Sequence, residues 1–225
     1  MINSLHARMK RPEKGWDPVH SNHVQSYAAG QWKAPIDEKV LDHLDRWSGG
    51  LAGKSVIDLG GGPAQYSVAL AKRGAHVTWH DVSGGYRDFA RAKALENKVD
   101  LELSLGYMDE AADILPKQFD VVFNRICWNY GLSDAGFART VYRLVKPGGI
   151  IYIDTATSYW GNNITSGPTK LRAWLNDNLH IKIGHPYPPR GRVAALLANF
   201  PHDMMLCDYS EPNYDRITMR RAKNS

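Results

Sequence analysis

Cysteine is nearly absent. Cys127 and Cys207 are the only two in 225 residues, too few and too isolated for a disulfide framework. Both are expected as reduced, mostly buried thiols, Cys207 at the end of the apolar run Met204–Cys207. No apolar run approaches the roughly 18–20 residues of a membrane helix, and Met1–Lys14 lacks the apolar core of a secretory signal. A soluble cytoplasmic protein with no membrane partner is expected. A Lys/Arg-rich stripe is also missing from the interior of the chain. The net charge of +5 resides at the ends. Residues 1–14 contribute +3 and residues 216–225 contribute +4, leaving −2 for the body. The two ends are expected to be solvated and mobile, and the acidic body argues against a nucleic-acid substrate. There is no internal repeat and no low-complexity tract. With 43% hydrophobic and 23% charged residues, collagen, coiled coil and wholesale disorder are excluded.

What is present alternates. Residues 1–34 read as an N-terminal arm or lid, polar and without periodicity over 1–25, and residues 35–225 as one domain. From Pro35, Ile36, Val40, Leu41, Leu44 and Trp47 form one apolar stripe of a helix, stopped at Ser48-Gly49-Gly50. Ser55–Leu59 is a predicted strand, followed by three glycines and a helix over 64–73. Further strands are predicted at 75–80, 101–105, 119–123 and 150–153. Helices fall at 86–95, 137–145, 171–179 and near 191–199. Strands alternating with helices define an α/β fold with a mostly parallel sheet. Two late strands, 204–207 and 216–219, share only a short link, so they are expected to pair antiparallel at one edge. In such sheets ligands bind beyond the carboxyl ends of the strands, here Asp58–Gly62, Asp81, Tyr107–Asp109, Asn124–Trp128 and Asp154.

The strongest signal is Val56-Ile57-Asp58-Leu59-Gly60-Gly61-Gly62-Pro63-Ala64. Glycines after a strand turn the backbone sharply and let a ligand lie on the main chain. Asp81 stands at the tip of the next strand, where a carboxylate can accept both hydrogen bonds of a ribose diol. The segments VIDLGGGPAQYS, HVTWHDVS, FDVVFNRICWNY and LVKPGGIIYID together resemble the class I S-adenosylmethionine-dependent methyltransferases, over roughly residues 36–155. The resemblance implies a Rossmann-like seven-stranded sheet, six strands parallel and the last antiparallel, with helices on both faces. It also implies S-adenosylmethionine as cofactor. Gly60, Gly61 and Gly62 would lie under its amino acid part, with Asp58 nearby. Asp81 would hold the ribose, Val82 would lie against the adenine, and Met108 and Asp109 would reach the adenine edge, Asp109 as acceptor. Asn124 and Arg125 would stand near the sulfonium and the substrate. Tyr27 and Trp32 resemble aromatics folded over the cofactor, or are packing residues. Ala64 departs from the third glycine of the usual loop.

Missing motifs narrow the subclass. No Asp/Asn-Pro-Pro-aromatic follows the fourth strand, which disfavours adenine or cytosine amino methylation. Cys127 follows Ile126 rather than proline, so a cytosine-C5 nucleophile is disfavoured. Asn124 and Asn129 supply no carboxylates for a catalytic divalent metal, and no metal is expected. The expectation is metal-free in-line methyl transfer to an O or N atom of a small molecule such as a natural-product intermediate or sugar. A homodimer is compatible with it. Candidate bases are His23, His185 and His20, with Tyr130 weaker. Arg190 and Arg192 could receive an anionic substrate. Three other readings are a cofactor-binding non-catalytic partner subunit, a methyltransferase of RNA or protein, and a nicotinamide dehydrogenase. The last lacks its Gly-x-Gly-x-x-Gly.

Overall fold

The computed structural model describes residues 2–157 and 167–224. Among these residues seven strands form one sheet in the order β3-β2-β1-β4-β5-β7-β6. They are β1 (Ser55–Leu59), β2 (His76–Asp81), β3 (Leu101–Leu105), β4 (Phe119–Arg125), β5 (Val145–Ala156), β6 (His202–Asp208) and β7 (Tyr214–Arg221). β7 runs antiparallel to both β5 and β6, and the other pairings are parallel. The expected sheet, with its antiparallel last strand, is what forms. No helix among the described residues is long and apolar enough to cross a membrane.

Alternation along the strands divides the core between two faces. Ile57, Leu59, Val122, Ile151, Ile153, Ile217 and Met219 face α7 (Asp134–Leu144) and α9 (Arg192–Leu197), where Phe137, Val141 and Leu197 meet them. Val56, Val77, Val121, Phe123, Ile150 and Tyr152 face α3 (Glu38–Ser48) and α4 (Gln65–Lys72). α3 starts where the Asp37 carboxylate accepts from Lys39 N at 3.1 Å, and its buried residues are Val40, Leu41 and Leu44. α5 (Gly84–Glu96) follows β2, and the short α6 (Ala111–Ile114) follows the 3-10 turn Met108–Glu110. α8 (Gly167–Leu179) begins at Gly167-Pro168, with proline in its first turn.

Two expectations about the ends are corrected. The arm is ordered: α1 (Ile2–Met9) and α2 (Ser21–Lys33) precede α3. α2 has no strong stripe to betray it, because only Val24 and Ala28 are buried. Val24 packs with Ala64, Trp79, Tyr86 and Ala90, and so against the glycine loop and α5. Arg8, Lys10, Lys14 and Lys223 are exposed as expected, but the arginines nearer the domain are engaged. Arg11 pairs with Glu110 at 2.9 Å, Arg220 donates to Trp47 O at 2.6 Å, and Arg221 donates to Val145 O at 2.8 Å. Three of the four C-terminal basic residues lie on β7: Arg220 and Arg221 satisfy backbone carbonyls and Arg216 pairs with Glu211 at 2.7 Å, while Lys223 beyond the strand is exposed.

Candidate functional site

The loop after β1 is fixed from below and from the side. Gly60 N and Gly61 N donate to His80 O at 2.8 and 3.2 Å. Gly62 N donates to Asp81 Oδ2 at 3.0 Å and Trp79 Nε1 donates to Gly62 O at 3.1 Å. Gly60 has φ +73°, and a Cβ there would fall far inside van der Waals contact with Cys127 Sγ; at Gly61 it would strike the Trp79 indole. Glycine is therefore required at both positions, and the loop presents bare main chain. α2 braces its far end: Trp32 Nε1 donates to Pro63 O at 2.8 Å, and the Gln65 side chain donates to Gln31 O. Trp32 thus anchors the loop through Pro63, with Lys93 lying over its ring at 4.8 Å.

Two carboxylates flank the loop. Asp58 is buried and accepts from Ser67 Oγ at 2.6 Å. Burial, with the Asp81 charge adding to it, pushes Asp58 up to about 7. Asp81 is half-buried and accepts from Gly62 N through Oδ2 and from Ser83 N, at 2.9 Å, through Oδ1. Burial also raises its pKa, and the backbone donors oppose this. A carboxylate oxygen has two acceptor sites, so each Asp81 oxygen keeps one for a further donor. Val82, next in the chain, is half-buried at the same edge.

The next loop differs from expectation. Met108 is 8% exposed and belongs to the core. The Asp109 carboxylate accepts from Leu132 N at 2.8 Å and Ser133 N at 3.5 Å, and its carbonyl accepts from Thr140 Oγ1. Burial raises it to about 6. Its oxygens organise the turn before α7, which leaves it poorly placed as an adenine acceptor. Tyr107 instead faces the arm, stacked on Trp16 with centroids 6.1 Å apart.

At the end of β4, Asn124 is buried and donates from Nδ2 to Leu59 O and Cys127 Sγ, both at 2.9 Å, while its Oδ1 has no partner. Arg125 pairs with Asp154 at 3.1 Å and lies 4.8 Å over the Tyr66 ring. Cys127 Sγ fills the space under Gly60, and burial raises its pKa, so it acts as a packing thiol. Ile126 has φ +58°, and its side chain is 38% exposed. Left-handed backbone costs a non-glycine residue roughly 1–2 kcal/mol, and a β-branched residue there is an outlier. Ile126→Gly relieves this strain and adds chain entropy in the unfolded state. The expected net gain is about 1 kcal/mol, a melting-temperature rise of roughly 2–4 °C. Scanning calorimetry checks it, and a fall would show that contacts of the Ile126 side chain hold the turn.

Aromatic and imidazole side chains gather beyond these strand ends. Tyr27 lies 6.2 Å from Tyr86 and 5.7 Å from the His23 ring. Burial raises the pKa of the Tyr27 hydroxyl, and the nearby Arg125 guanidinium opposes this. Tyr130 and His185 approach with centroids 5.0 Å apart. His20 is corrected: it caps α2, its Nδ1 accepting from Asn22 N at 3.3 Å. Arg192 is also committed, donating to Asn176 O and Asp177 O and lying 3.6 Å from Asp134. Arg190 lies over the Tyr209 ring and donates to Tyr209 O. Neither is poised for an anionic substrate. Tyr86, Tyr66 and Ile126 were not among the candidates read from the sequence. Tyr86 occurs in a helical stretch with no motif, Tyr66 lies within the quoted VIDLGGGPAQYS segment but at a helix position with no assigned role, and a left-handed backbone leaves no signature at isoleucine.

The residues present fit an adenosine-bearing amino acid: the loop is a cradle that a Cβ would fill, Asp81 keeps acceptor capacity at its edge, and Asn124 Oδ1 is an unpaired buried acceptor. Comparison with known proteins agrees. A methyltransferase-domain family matches residues 56–149. A ubiquinone biosynthesis O-methyltransferase of Aeromonas salmonicida (strain A449) is 37% identical over 120 residues, 53% of this chain and 50% of that protein. A protein of the same description from Pseudomonas savastanoi pv. phaseolicola (strain 1448A / Race 6) is 35% identical over 179 residues, 68% of this chain and 73% of the relative. The chain thus spans about half the length of several curated relatives that it matches. A solved S-adenosylmethionine-dependent methyltransferase from Mesorhizobium loti shares the fold with a TM-score of 0.59 at 18% identity, covering 80% of this chain and 96% of that one. The chain belongs to the class I S-adenosylmethionine-dependent methyltransferases, whose cofactor is S-adenosylmethionine.

Proposed function

We propose that the protein transfers a methyl group to an oxygen of a small hydroxylated molecule, without a catalytic metal. The observation that carries this reading is the glycine cradle with Asp81 at its edge, together with the Tyr130–His185 ring contact just beyond β4. Oxygen is preferred over nitrogen because the relatives above are described as O-methyltransferases. Bound S-adenosylmethionine supplies an electrophilic methyl on a cationic sulfur. Gly60, Gly61 and Gly62 hold its amino acid part, with Asp58 beside them, and Asp81 accepts from the ribose hydroxyls. Asn124 Oδ1 and Arg125 stand at the reacting end. Tyr27 on α2 offers an exposed aromatic face, which suits a cation. His185, beside Tyr130, takes the acceptor proton, and His23 is the second candidate.

The acceptor is a small molecule rather than nucleic acid, a reading supported by the internal use of Arg11, Arg220 and Arg221, and the protein acts in the cytoplasm. The test is a mass-spectrometric screen of phenols, catechols and sugars with S-adenosylmethionine. At least one acceptor should gain a methyl group. His185→Ala should then lower kcat by roughly 100-fold or more, the usual scale of general-base loss, with unchanged affinity for S-adenosylhomocysteine. Binding of the cofactor with no transfer to any acceptor would favour the non-catalytic partner reading.

A further inference from the structure

The arm reaches the cofactor face at two points that flank Asp81. At one, Asp17 accepts from Ser83 Oγ at 3.1 Å and from Gly85 N at 2.8 Å, while its other oxygen accepts from Val19 N. At the other, Lys10 O accepts from Tyr107 Oη at 2.8 Å, Arg11 pairs with Glu110, and Trp16 stacks on Tyr107. Residues 10–19 therefore cross the carboxyl ends of β2 and β3 as a strap. Ser83 is the link inward. Its hydroxyl donates to Asp17, and its backbone N–H donates to Asp81 Oδ1 at 2.9 Å. One carboxylate on the arm thus fixes the residue that fixes the rotamer of the other. Asp17 also caps α5 next to Ser83, whose Oγ accepts from Tyr86 N, so a purely structural role has to be distinguished.

We propose that Asp17 is a positioning residue for the cofactor: through Ser83 it holds the Asp81 carboxylate in the orientation that receives the ribose diol. This rests on the methyltransferase reading of the site. A carboxylate that must bind two hydroxyls at once needs a fixed plane, and Gly62 N and Ser83 N define that plane only while the turn at 81–85 is held. The strap supplies the hold from outside the domain core, across 66 residues of sequence.

A double-mutant cycle tests it, with S-adenosylhomocysteine as the probe and calorimetry to millimolar ligand. Asp17→Ala should weaken binding about tenfold in the wild-type background, a coupling of ordinary size for residues in one hydrogen-bond network. In an Asp81→Asn background the same change should cost less than about threefold. Asp17→Asn, which keeps the shape and one acceptor oxygen, should recover part of the loss, and it replaces alanine in the cycle if the alanine variant does not fold. Equal losses in both backgrounds, or none in either, would overturn the assignment. Failure of the wild-type chain to bind the probe would instead remove the cofactor reading on which it rests.

Discussion

Asp81→Ala should lower the affinity for S-adenosylhomocysteine by roughly 100-fold or more. The reasoning starts at the sheet. β2 ends at Asp81, one residue beyond His80, whose carbonyl accepts from Gly60 N and Gly61 N. The carboxylate is therefore fixed to the same backbone that turns the glycine loop. Each oxygen already accepts one backbone N–H and keeps one acceptor site, so a vicinal diol can be met by both at once. A hydrogen bond to a charged group contributes roughly 1.5–3 kcal/mol, and two of them set the expected loss. Alanine also frees Gly62 N and Ser83 N, which loosens the loop and adds to the effect. Asp81→Asn, which keeps one acceptor oxygen, should fall between the two. Calorimetric titration reads all three, and unchanged affinity in the alanine variant would remove Asp81 from the site.

The second large effect concerns stability. Asp134 opens α7, is 8% exposed, and accepts from Lys182 Nζ at 2.8 Å and Trp128 Nε1 at 3.2 Å. Lys182 is itself buried, its side chain 3% exposed. Asp134→Ala leaves that ammonium without its counter-charge, and removing one member of a buried pair costs roughly 3–5 kcal/mol. For a chain of this size the melting temperature should fall by about 10 °C. Lys182→Met should cost less, because Arg192 remains 3.6 Å from Asp134 Oδ2. The same pair ties the turn that carries Tyr130 to the segment that carries His185, so the alanine variant should also disturb the contact between those two rings. Thermal denaturation of both single variants checks the ranking. Equal, small shifts would mean that the pair adds nothing beyond packing.

The contrast between what could be read and what could not has a physical basis. The glycine loop and Asp81 were legible because strand, turn and tip residues are adjacent in sequence and each obeys a local steric rule. The mostly parallel sheet followed from alternation, and the antiparallel pairing of its last two strands from the short link before β7; the strand order did not. The arm was not legible. α2 buries only Val24 and Ala28, too little for a periodic signal, and Asp17, Trp16 and Arg11 act through side-chain contacts across 66 to 99 residues. Asp109 was assigned to the adenine because the residue type was right. Its side-chain direction, set by Leu132 N and Ser133 N, is a tertiary fact. His20 looked like half of a histidine pair with His23, yet its position just before a helix makes it a cap. The terminal positive charge invited a tail reading until β7 showed where the arginines donate.

The most direct test is calorimetric titration of the full chain with S-adenosylhomocysteine. A single saturable site with one ligand per chain, accompanied by a rise in melting temperature, is the result this structure calls for. Absence of both heat and thermal shift at millimolar ligand would contradict the cofactor site at Gly60–Gly62 and Asp81.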